Sequence, residues 1–421
     1  MTTARDADER VAEQPSDATN RITWAIAAAV GTANLSYNFW APFLPLFVLQ
    51  IGAADEADAL FWIAVATTVQ GIGRLVSGPI WGIVADRFGR KDMLLRCLVF
   101  ASIANWITAA IGAPWHLTFS FLLQGIFSGY VPASAALISV SVPDSRISRS
   151  LSTVTSAQYL GNTLGPMLGA LMAIALGYRG SIAVASMFPL IAAVGVFFLV
   201  PRDRPGVIRT ASTDGEKVST KLEPFRPTFQ LWLAILVYFV IFTMVQAIRL
   251  LSPLAVKEIA PGNVDSIIGL TFTLGGLASA VSLIFLAPKF FRSGGLQRAM
   301  VVCSALSGLA MLSLAFAGSV PFYIAGFALF SLVQAAMIPA SNTLIAGNAP
   351  RARRGTAFGV ASSAQAISFM IGPFSAALFA AVSIDLGFVI LAGALFALSA
   401  VLMVALREPS MTGERTTSAT A

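Results

Sequence analysis

Two arginines inside apolar segments are the residues best placed to do binding chemistry. Arg74 lies in the apolar segment 59–84 and Arg249 in the apolar segment 230–256. An arginine at mid-membrane costs at least about 2.5 kcal/mol on insertion scales, so each side chain should face protein or water. A guanidinium there can bind a carboxylate or phosphonate through two parallel hydrogen bonds. The alternative is that each arginine satisfies backbone carbonyls at a helix break, because a proline follows each within five residues.

Uncharged polar side chains in the apolar segments are a second set of candidates for a binding cavity. Asn34 and Asn38 are four residues apart and therefore share a helical face. Gln246 shares a face with Arg249, three residues further along. Single polar residues in membrane helices also join helices to one another, so that role stays open for each of them. The candidate cavity residues other than the arginines are Asn34, Tyr37, Asn38, Gln124, Gln158, Gln246 and Gln365.

The acidic residues fall outside the apolar segments, which bears on any coupling to protons. All 20 aspartates and glutamates lie in the termini, in loops or at segment ends. A proton-coupled carrier normally holds a buried carboxylate whose pKa is raised towards neutral pH by desolvation. The sequence shows no obvious residue of this kind, so the identity of the coupling ion stays open.

The residue types that catalysis or metal binding would require are scarce. The two cysteines, Cys97 and Cys303, are far apart, and the single histidine, His116, lies in a predicted loop. These residues provide neither zinc-ligand spacing nor a Ser-His-Asp arrangement. The chain also lacks the glycine-rich GxxxxGKS or GxxxxGKT segment of ATP-hydrolysing proteins. We therefore expect no metal, no cofactor and no enzymatic activity.

The elements that carry these residues are long apolar segments. The chain is 57% hydrophobic and only 11% charged, and its mean hydropathy is +0.79. Segments of about 20 apolar residues, each long enough to cross about 30 Å of hydrocarbon, recur along it. This pattern predicts an all-α membrane protein with twelve transmembrane helices. The predicted spans are 22–49, 59–84, 93–112, 117–140, 151–176, 181–200, 230–256, 266–287, 299–318, 320–346, 356–382 and 386–406.

A repeat divides the chain into two similar halves. The segment PASAALISVSVP at 132–143 returns as PASNTLIAGNAP at 339–350, and Gly165-Pro166 returns as Gly372-Pro373 in the same register. Duplicated bundles of this kind are typical of secondary transporters, whose halves rock about a site between them. The predicted divisions are a disordered cytoplasmic tail at 1–21, a six-helix bundle at 22–200, a cytoplasmic linker at 201–229, a second six-helix bundle at 230–406 and a cytoplasmic tail at 407–421.

The distribution of charge sets the predicted orientation. With both termini in the cytoplasm, almost all lysines and arginines of the loops, Arg96 among them, fall on the inner side. The outer loops keep only Arg179 and Lys257. This positive-inside pattern accounts for the net charge of +7, which therefore gives no support to nucleic-acid binding. The polar segment before residue 22 lacks the pattern of a cleaved signal peptide.

A charged motif follows the second predicted span, within WGIVADRFGRK. It combines glycines, one acid and a basic cluster, and it resembles the signature between the second and third helices of the major facilitator superfamily. The resemblance implies a conformational latch at the inner face, in which Asp86 lies near the positive N-terminus of another helix and the basic residues pair with Asp144. The alternative is that the basic residues only anchor the membrane edge. The residues of this predicted latch are Gly82, Asp86, Arg87, Gly89, Arg90, Lys91 and Asp144.

A glycine motif in the fifth predicted span, GxxxGPxxG, resembles the antiporter motif of drug-efflux members of the same superfamily. Small residues four apart allow close helix contact, and a proline bends the helix. The resemblance implies a hinge at the moving seam between the halves, whereas ordinary packing of membrane helices is the alternative. The residues of this predicted hinge are Gly161, Gly165, Pro166, Gly169, Gly372 and Pro373.

The resemblance covers essentially the whole chain and points most closely to the 12-helix drug:proton antiporters of bacterial inner membranes. It implies the major facilitator fold, in which spans one, four, seven and ten line the cavity. It also implies a secondary active exporter of small amphipathic molecules that works by alternating access and uses a gradient of protons or another coupling ion. The alternative is an organic-anion or organophosphate exchanger with an arginine-lined cavity. We expect a monomer in the lipid bilayer.

Overall fold

The fold is built from helices throughout the part of the chain that the structure describes. A computed structural model describes residues 16–201, 228–286, 295–349 and 354–407, and no β-strand occurs among them. Nine helices in these ranges are long and apolar enough to cross a membrane, judged by length and composition. The prediction of an all-α protein is confirmed, and the count of twelve transmembrane helices stays a prediction.

The helices of the first half are interrupted at two glycines with positive φ, a region that favours glycine. Gly129, at φ +116°, precedes the helix at 130–141 and divides the predicted fourth span in two. Gly177, at φ +69°, bends one long helix between the predicted fifth and sixth spans. The helices are α1 (Ser16–Trp40), α2 (Leu44–Gln50), α3 (Glu56–Phe88), α4 (Arg90–Ala110), α5 (His116–Ile126), α6 (Tyr130–Ser141) and α7 (Asp144–Leu199).

The helices of the second half include two with side-chain caps. The hydroxyl of Thr228 accepts a hydrogen bond from the backbone N–H of Leu231, and that of Ser383 accepts one from Leu386. Such caps satisfy N–H groups that lack an intrahelical acceptor. The helices are α8 (Phe229–Ile259), α9 (Val264–Val281, extended by a π-helical turn at Ser282–Leu286), α10 (Leu296–Ala315), α11 (Val320–Asn348), α12 (Arg354–Val382) and α13 (Ile384–Ala405).

Several helix boundaries differ from the predicted spans. Helix α1 begins at Ser16 and α7 at Asp144, each about two turns before the start of the predicted span. These early turns carry polar residues that are nevertheless buried, namely Thr19 in α1 and Ser150 in α7. The hydroxyl of Ser150 is hydrogen-bonded to that of Thr23 in α1 at 2.9 Å. A hydropathy pattern registers such residues as polar and places the boundary too late.

The chain divides into two compact units, each with its own buried apolar core. The first comprises residues 1–219 together with 262–273, and the second comprises 220–261 together with 274–421. In the first, buried side chains of α1, α4, α6 and α7 pack together. In the second, the core lies among α8, α10, α11, α12 and α13. Each unit therefore has the internal packing that a separate body requires.

Large apolar side chains also cover the outside of the helices. Leu75 is 69% exposed, Phe198 is 75% exposed and Val404 is 85% exposed. Water does not accept apolar surface on this scale, whereas lipid does. With lipid outside, helix association depends on close contact through small residues and on interhelical hydrogen bonds.

Candidate functional site

Arg74 interacts electrostatically with a tyrosine of another helix in the first compact unit. It is an exposed residue of α3, and the phenol of Tyr130 in α6 interacts electrostatically with both Arg74 and Tyr37 of α1. Tyr130 is thus within electrostatic range of side chains from two other helices. Tyr130 was not among the predicted cavity residues, although it lies in the predicted fourth span.

Arg96 is a further arginine within a helix that is long and apolar enough to cross a membrane, whereas the charge pattern had assigned it to the inner loop. It lies in α4, six residues after the first residue of that helix, and its guanidinium carbon is 3.6 Å from the ring centroid of Trp81. Its Nη2 donates to the Sγ of Cys97 at 3.1 Å and to the carbonyl of Ser128 at 3.4 Å. Its Nε and Nη1 are buried without a hydrogen-bond partner in the described structure. The signal was available, because Arg96 falls inside the predicted span 93–112.

The predicted cavity residue Gln124 lies in a polar contact between α3 and α5. Gln70 of α3 donates from Nε2 to the Oε1 of Gln124 at 3.2 Å. The Nε2 of Gln124 is buried and has no hydrogen-bond partner in the described part of the chain. The same contact includes Trp81, whose Nε1 donates to the carbonyl of Ile126 at 2.7 Å. Sequence reasoning did not select Gln70, which is one of the buried polar residues of the predicted second span.

Asn34 and Asn38 share the predicted face of α1, and that face is turned towards α7. Both are buried. Asn38 donates from Nδ2 to the Oδ1 of Asn162 at 2.8 Å and to the carbonyl of Asn34 at 2.9 Å. This contact favours the role of joining helices. Gln158, in α7, is half-buried, and its contact with substrate stays a prediction.

The hinge glycines of α7 make the close helix contact that their spacing predicts. A Cβ on Gly165 would lie 2.8 Å from the Cβ of Asn38. A Cβ on Gly161 or Gly169 would collide with backbone carbonyls of α1. Pro166 lies inside the helix. These glycines are therefore required for the observed approach of the two backbones.

The second unit reproduces this contact between α12 and α8. A Cβ on Gly372, which precedes Pro373, would lie 2.6 Å from the Cβ of Gln246 and 3.1 Å from the carbonyl oxygen of Thr243. Arg249, one turn after the buried Gln246, is half-buried, and Gln365 of α12 is half-buried as well. Gln246 therefore occupies, against its glycine, the place that Asn38 occupies in the first unit.

The charged motif is described only in part. Gly89 has φ +104° and precedes α4, and the half-buried Arg90 is the first residue of α4. The buried Lys91 donates from Nζ to the backbone carbonyls of Phe197 and Val200 at the end of α7. The latch contacts predicted for other members stay a prediction, because their side chains lie outside the described part of the structure: Gly82, Asp86, Arg87 and Asp144.

An acid that the predicted spans left out takes part in a contact between α7 and α9. Tyr178 of α7 donates from its hydroxyl to the Oδ1 of Asp265 at 2.9 Å, within the first compact unit. Asp265 is the second residue of α9 and precedes the predicted eighth span by one residue. One turn later, a Cβ on Gly269 would lie 2.5 Å from the Cβ of Ala170. A polar contact and a close-packed contact between α7 and α9 thus lie one turn apart on α9.

The sequence profile of the Major Facilitator Superfamily matches residues 24–288 and 262–421. The chain is 27% identical over 350 residues to the multidrug resistance protein MdtG of Proteus mirabilis, covering 81% of this chain and 84% of that protein. It is 28% identical over 334 residues to the multi-drug resistance efflux pump PmrA of Streptococcus pneumoniae, covering 79% and 82%.

Solved structures match the fold over nearly the whole chain. The human organic anion transporter MFSD10 superposes with a TM-score of 0.64 at 21% identity, covering 92% of this chain and all of that one. A bacterial homologue of the human lysosomal transporter Spinster, inward-facing and unoccupied, gives a TM-score of 0.72 at 11% identity, covering 93% and 96%. At these identities the likeness concerns the fold alone.

Proposed function

The chain belongs to the major facilitator superfamily, and on that premise we propose that it exports small amphipathic molecules by alternating access. It is an integral, multi-pass membrane transporter of small molecules rather than an enzyme. Two relatives of similar length, at 27% and 28% identity, are named for multidrug resistance or multi-drug efflux. Efflux of several amphipathic compounds is the activity that best fits these relatives.

The contact of α7 with α1, repeated by α12 with α8, is the observation that carries the proposal. In each unit a glycine followed by proline lies against a polar residue of the neighbouring helix. Glycine allows the backbones to approach, and proline allows the helix to bend. Alternating access requires two like bodies that keep their own packing while they rock, and each unit has its own buried core.

The transport cycle that we propose uses the proton gradient of a bacterial inner membrane. Asp265 is the proposed coupling acid, because it is half-buried and bonded to Tyr178. The positive-inside pattern supports cytoplasmic termini, and the repeat supports twelve helices in two bundles. We propose that the monomer is the working unit, because each protomer holds both halves of the duplication.

The second candidate function is exchange of organic anions. The observation in its favour is the concentration of guanidinium groups in the first unit. Arg74 interacts electrostatically with Tyr130, and Arg96 has two nitrogens without a hydrogen-bond partner in the described structure. A cavity with such groups attracts carboxylates and phosphates.

Flux into proteoliposomes under an imposed pH gradient tests both candidates. The purified chain is reconstituted, and transport of a cationic dye and of an organic anion is followed with and without the gradient. We expect a proton gradient to accelerate dye transport in the direction opposite to proton flow, and an ionophore to remove the acceleration. If only the organic anion is transported, the second candidate function, exchange of organic anions, is correct. If neither compound moves above empty vesicles, both candidates are wrong.

A further inference from the structure

Arg96 is a half-buried residue, and two of its three guanidinium nitrogens have no hydrogen-bond partner in the described structure. It lies six residues, about 9 Å along the axis, beyond the first residue of α4. Its Nε and Nη1, with three N–H bonds between them, are buried and have no acceptor in the described structure. Its Nη2 reaches only a thiol and a carbonyl at 3.4 Å, which is long for a hydrogen bond. No nitrogen of this guanidinium is therefore bonded to a carboxylate in the part of the chain described.

An aromatic platform holds this guanidinium in place. Its carbon lies 3.6 Å from the ring centroid of Trp81, which favours a cation–π interaction. The indole is itself fixed, because its Nε1 donates to the carbonyl of Ile126 at 2.7 Å. Phe127 packs beside Trp81 and stacks on Phe100 with ring centroids 3.7 Å apart. The face of the guanidinium is thus occupied, and the available hydrogen bonds lie along its edges.

A second positive element adjoins the guanidinium. The predicted fourth span is broken between Ile126 and Tyr130, and the carbonyl that Arg96 contacts belongs to Ser128 within that break. Helix α6 begins directly afterwards, with Gly129 at its N-cap and no side-chain cap. Its first N–H groups have no intrahelical acceptor, and a helix N-terminus favours negative charge. Broken helices with this geometry bind anionic substrate groups in other transporter folds.

We propose that Arg96 and the N-terminus of α6, with Trp81 as platform, form a subsite for the carboxylate or phosphate group of a transported amphipathic molecule. The proposal rests on the proposed transport function and assigns it a substrate class, namely amphipathic anions and zwitterions. Such a group supplies the acceptors that the Nε and Nη1 of Arg96 lack. The aromatic side chains next to it accept the apolar part of the same molecule.

A matched pair of dyes tests the subsite in vesicles of zwitterionic lipid. A carboxylated rhodamine and its methyl ester differ only in the anionic group. Equilibrium binding and transport of both are measured for the wild type, Arg96→Gln and Arg96→Lys, with the exposed Arg298→Gln as the control. We expect Arg96→Gln to raise Kd and KM for the carboxylated dye about tenfold or more relative to the ester, because one charge-assisted contact is lost. Arg96→Lys should restore part of this, and Arg298→Gln should leave the ratio unchanged.

The outcomes separate the subsite from the transport function. If Arg96→Gln changes binding of both dyes equally, the subsite is wrong while efflux of the ester can still stand. If neither dye is transported but the carboxylated dye alone binds through Arg96, the subsite stands and the efflux function is wrong. Repeating the binding with anionic lipid in the vesicle identifies the source of the anion. Loss of dye discrimination in wild type under that condition assigns the site to a lipid headgroup and overturns the substrate assignment.

Discussion

At the scale of single residues, one buried lysine shows how backbone carbonyls at a helix end can hold a charged side chain. Lys91 is 5% exposed, and its Nζ lies 2.8 Å from the carbonyl oxygen of Phe197 and close to that of Val200. The last carbonyls of a helix lack intrahelical donors and carry partial negative charge. The lysine therefore joins the start of α4 to the end of α7, which is a structural role beside any role in the predicted latch.

Replacing this lysine should lower stability more than replacing an exposed cation. We expect Lys91→Met to reduce the free energy of unfolding by about 1–3 kcal/mol, because it removes the lysine donor from the carbonyls of Phe197 and of the buried Val200. The measurement is thermal or denaturant unfolding of the purified protein in detergent, with the exposed Arg298→Met as the control. Equal stability of the two variants would show that the carbonyls find other donors.

The sequence predicted which residues share a helical face better than it predicted which helix packs against that face. Helical spacing placed Asn34 and Asn38 on one side of α1, but spacing does not specify which helix packs there, and it is α7. Arg96 was assigned to the inner loop because a cluster of basic residues precedes it in the sequence. Its position inside an apolar segment indicated instead that it lies within a helix. The pairing of Tyr178 with Asp265 joins residues 87 apart, and no local pattern reports it.

At the scale of helices, replacing a hinge glycine of α7 is predicted to impair motion rather than folding. Gly165→Leu adds bulk where a Cβ alone would lie 2.8 Å from Asn38, and overpacking costs about 1–3 kcal/mol. We expect the variant to insert normally, as judged by yield and gel filtration, and to lose most of its dye flux in vesicles. Gly195→Leu, in the same helix with open space around its Cβ position, is the matched control. Normal flux in Gly165→Leu would show that the glycine motif serves only to pack the helices and has no role in the hinge.

Helices were easier to predict than their interruptions. Long apolar segments indicate helices because lipid leaves backbone groups no other acceptor. A hydropathy pattern averages over the break at Gly129 and over the bend at Gly177, since single glycines change it little. The break is part of the proposed subsite, because it puts the N-terminus of α6 beside Arg96.

At the scale of the whole molecule, duplication explains why one contact occurs twice. Leu35 and Asn38 meet Gly165 as Thr243 and Gln246 meet Gly372, with the same spacing of three residues. The sequence repeat was visible in the glycine-proline pairs, whereas their helix partners have diverged. The start of α9, which carries Asp265, breaks the symmetry of the two halves. It lies in the second half of the sequence, but its contacts place it in the first compact unit.

Asp265 is the proposed coupling acid. Its carboxylate accepts a hydrogen bond from Tyr178 of α7, the helix that also carries the hinge glycines. We expect Asp265→Asn to retain dye flux down the dye's own gradient and to lose the acceleration produced by a pH gradient, because the amide cannot take up a proton near neutral pH. Tyr178→Phe, which keeps the acid, should retain acceleration. Asp385→Asn, an exposed acid in the first turn of α13, is the control. An unchanged response of Asp265→Asn to the pH gradient would assign coupling to another group.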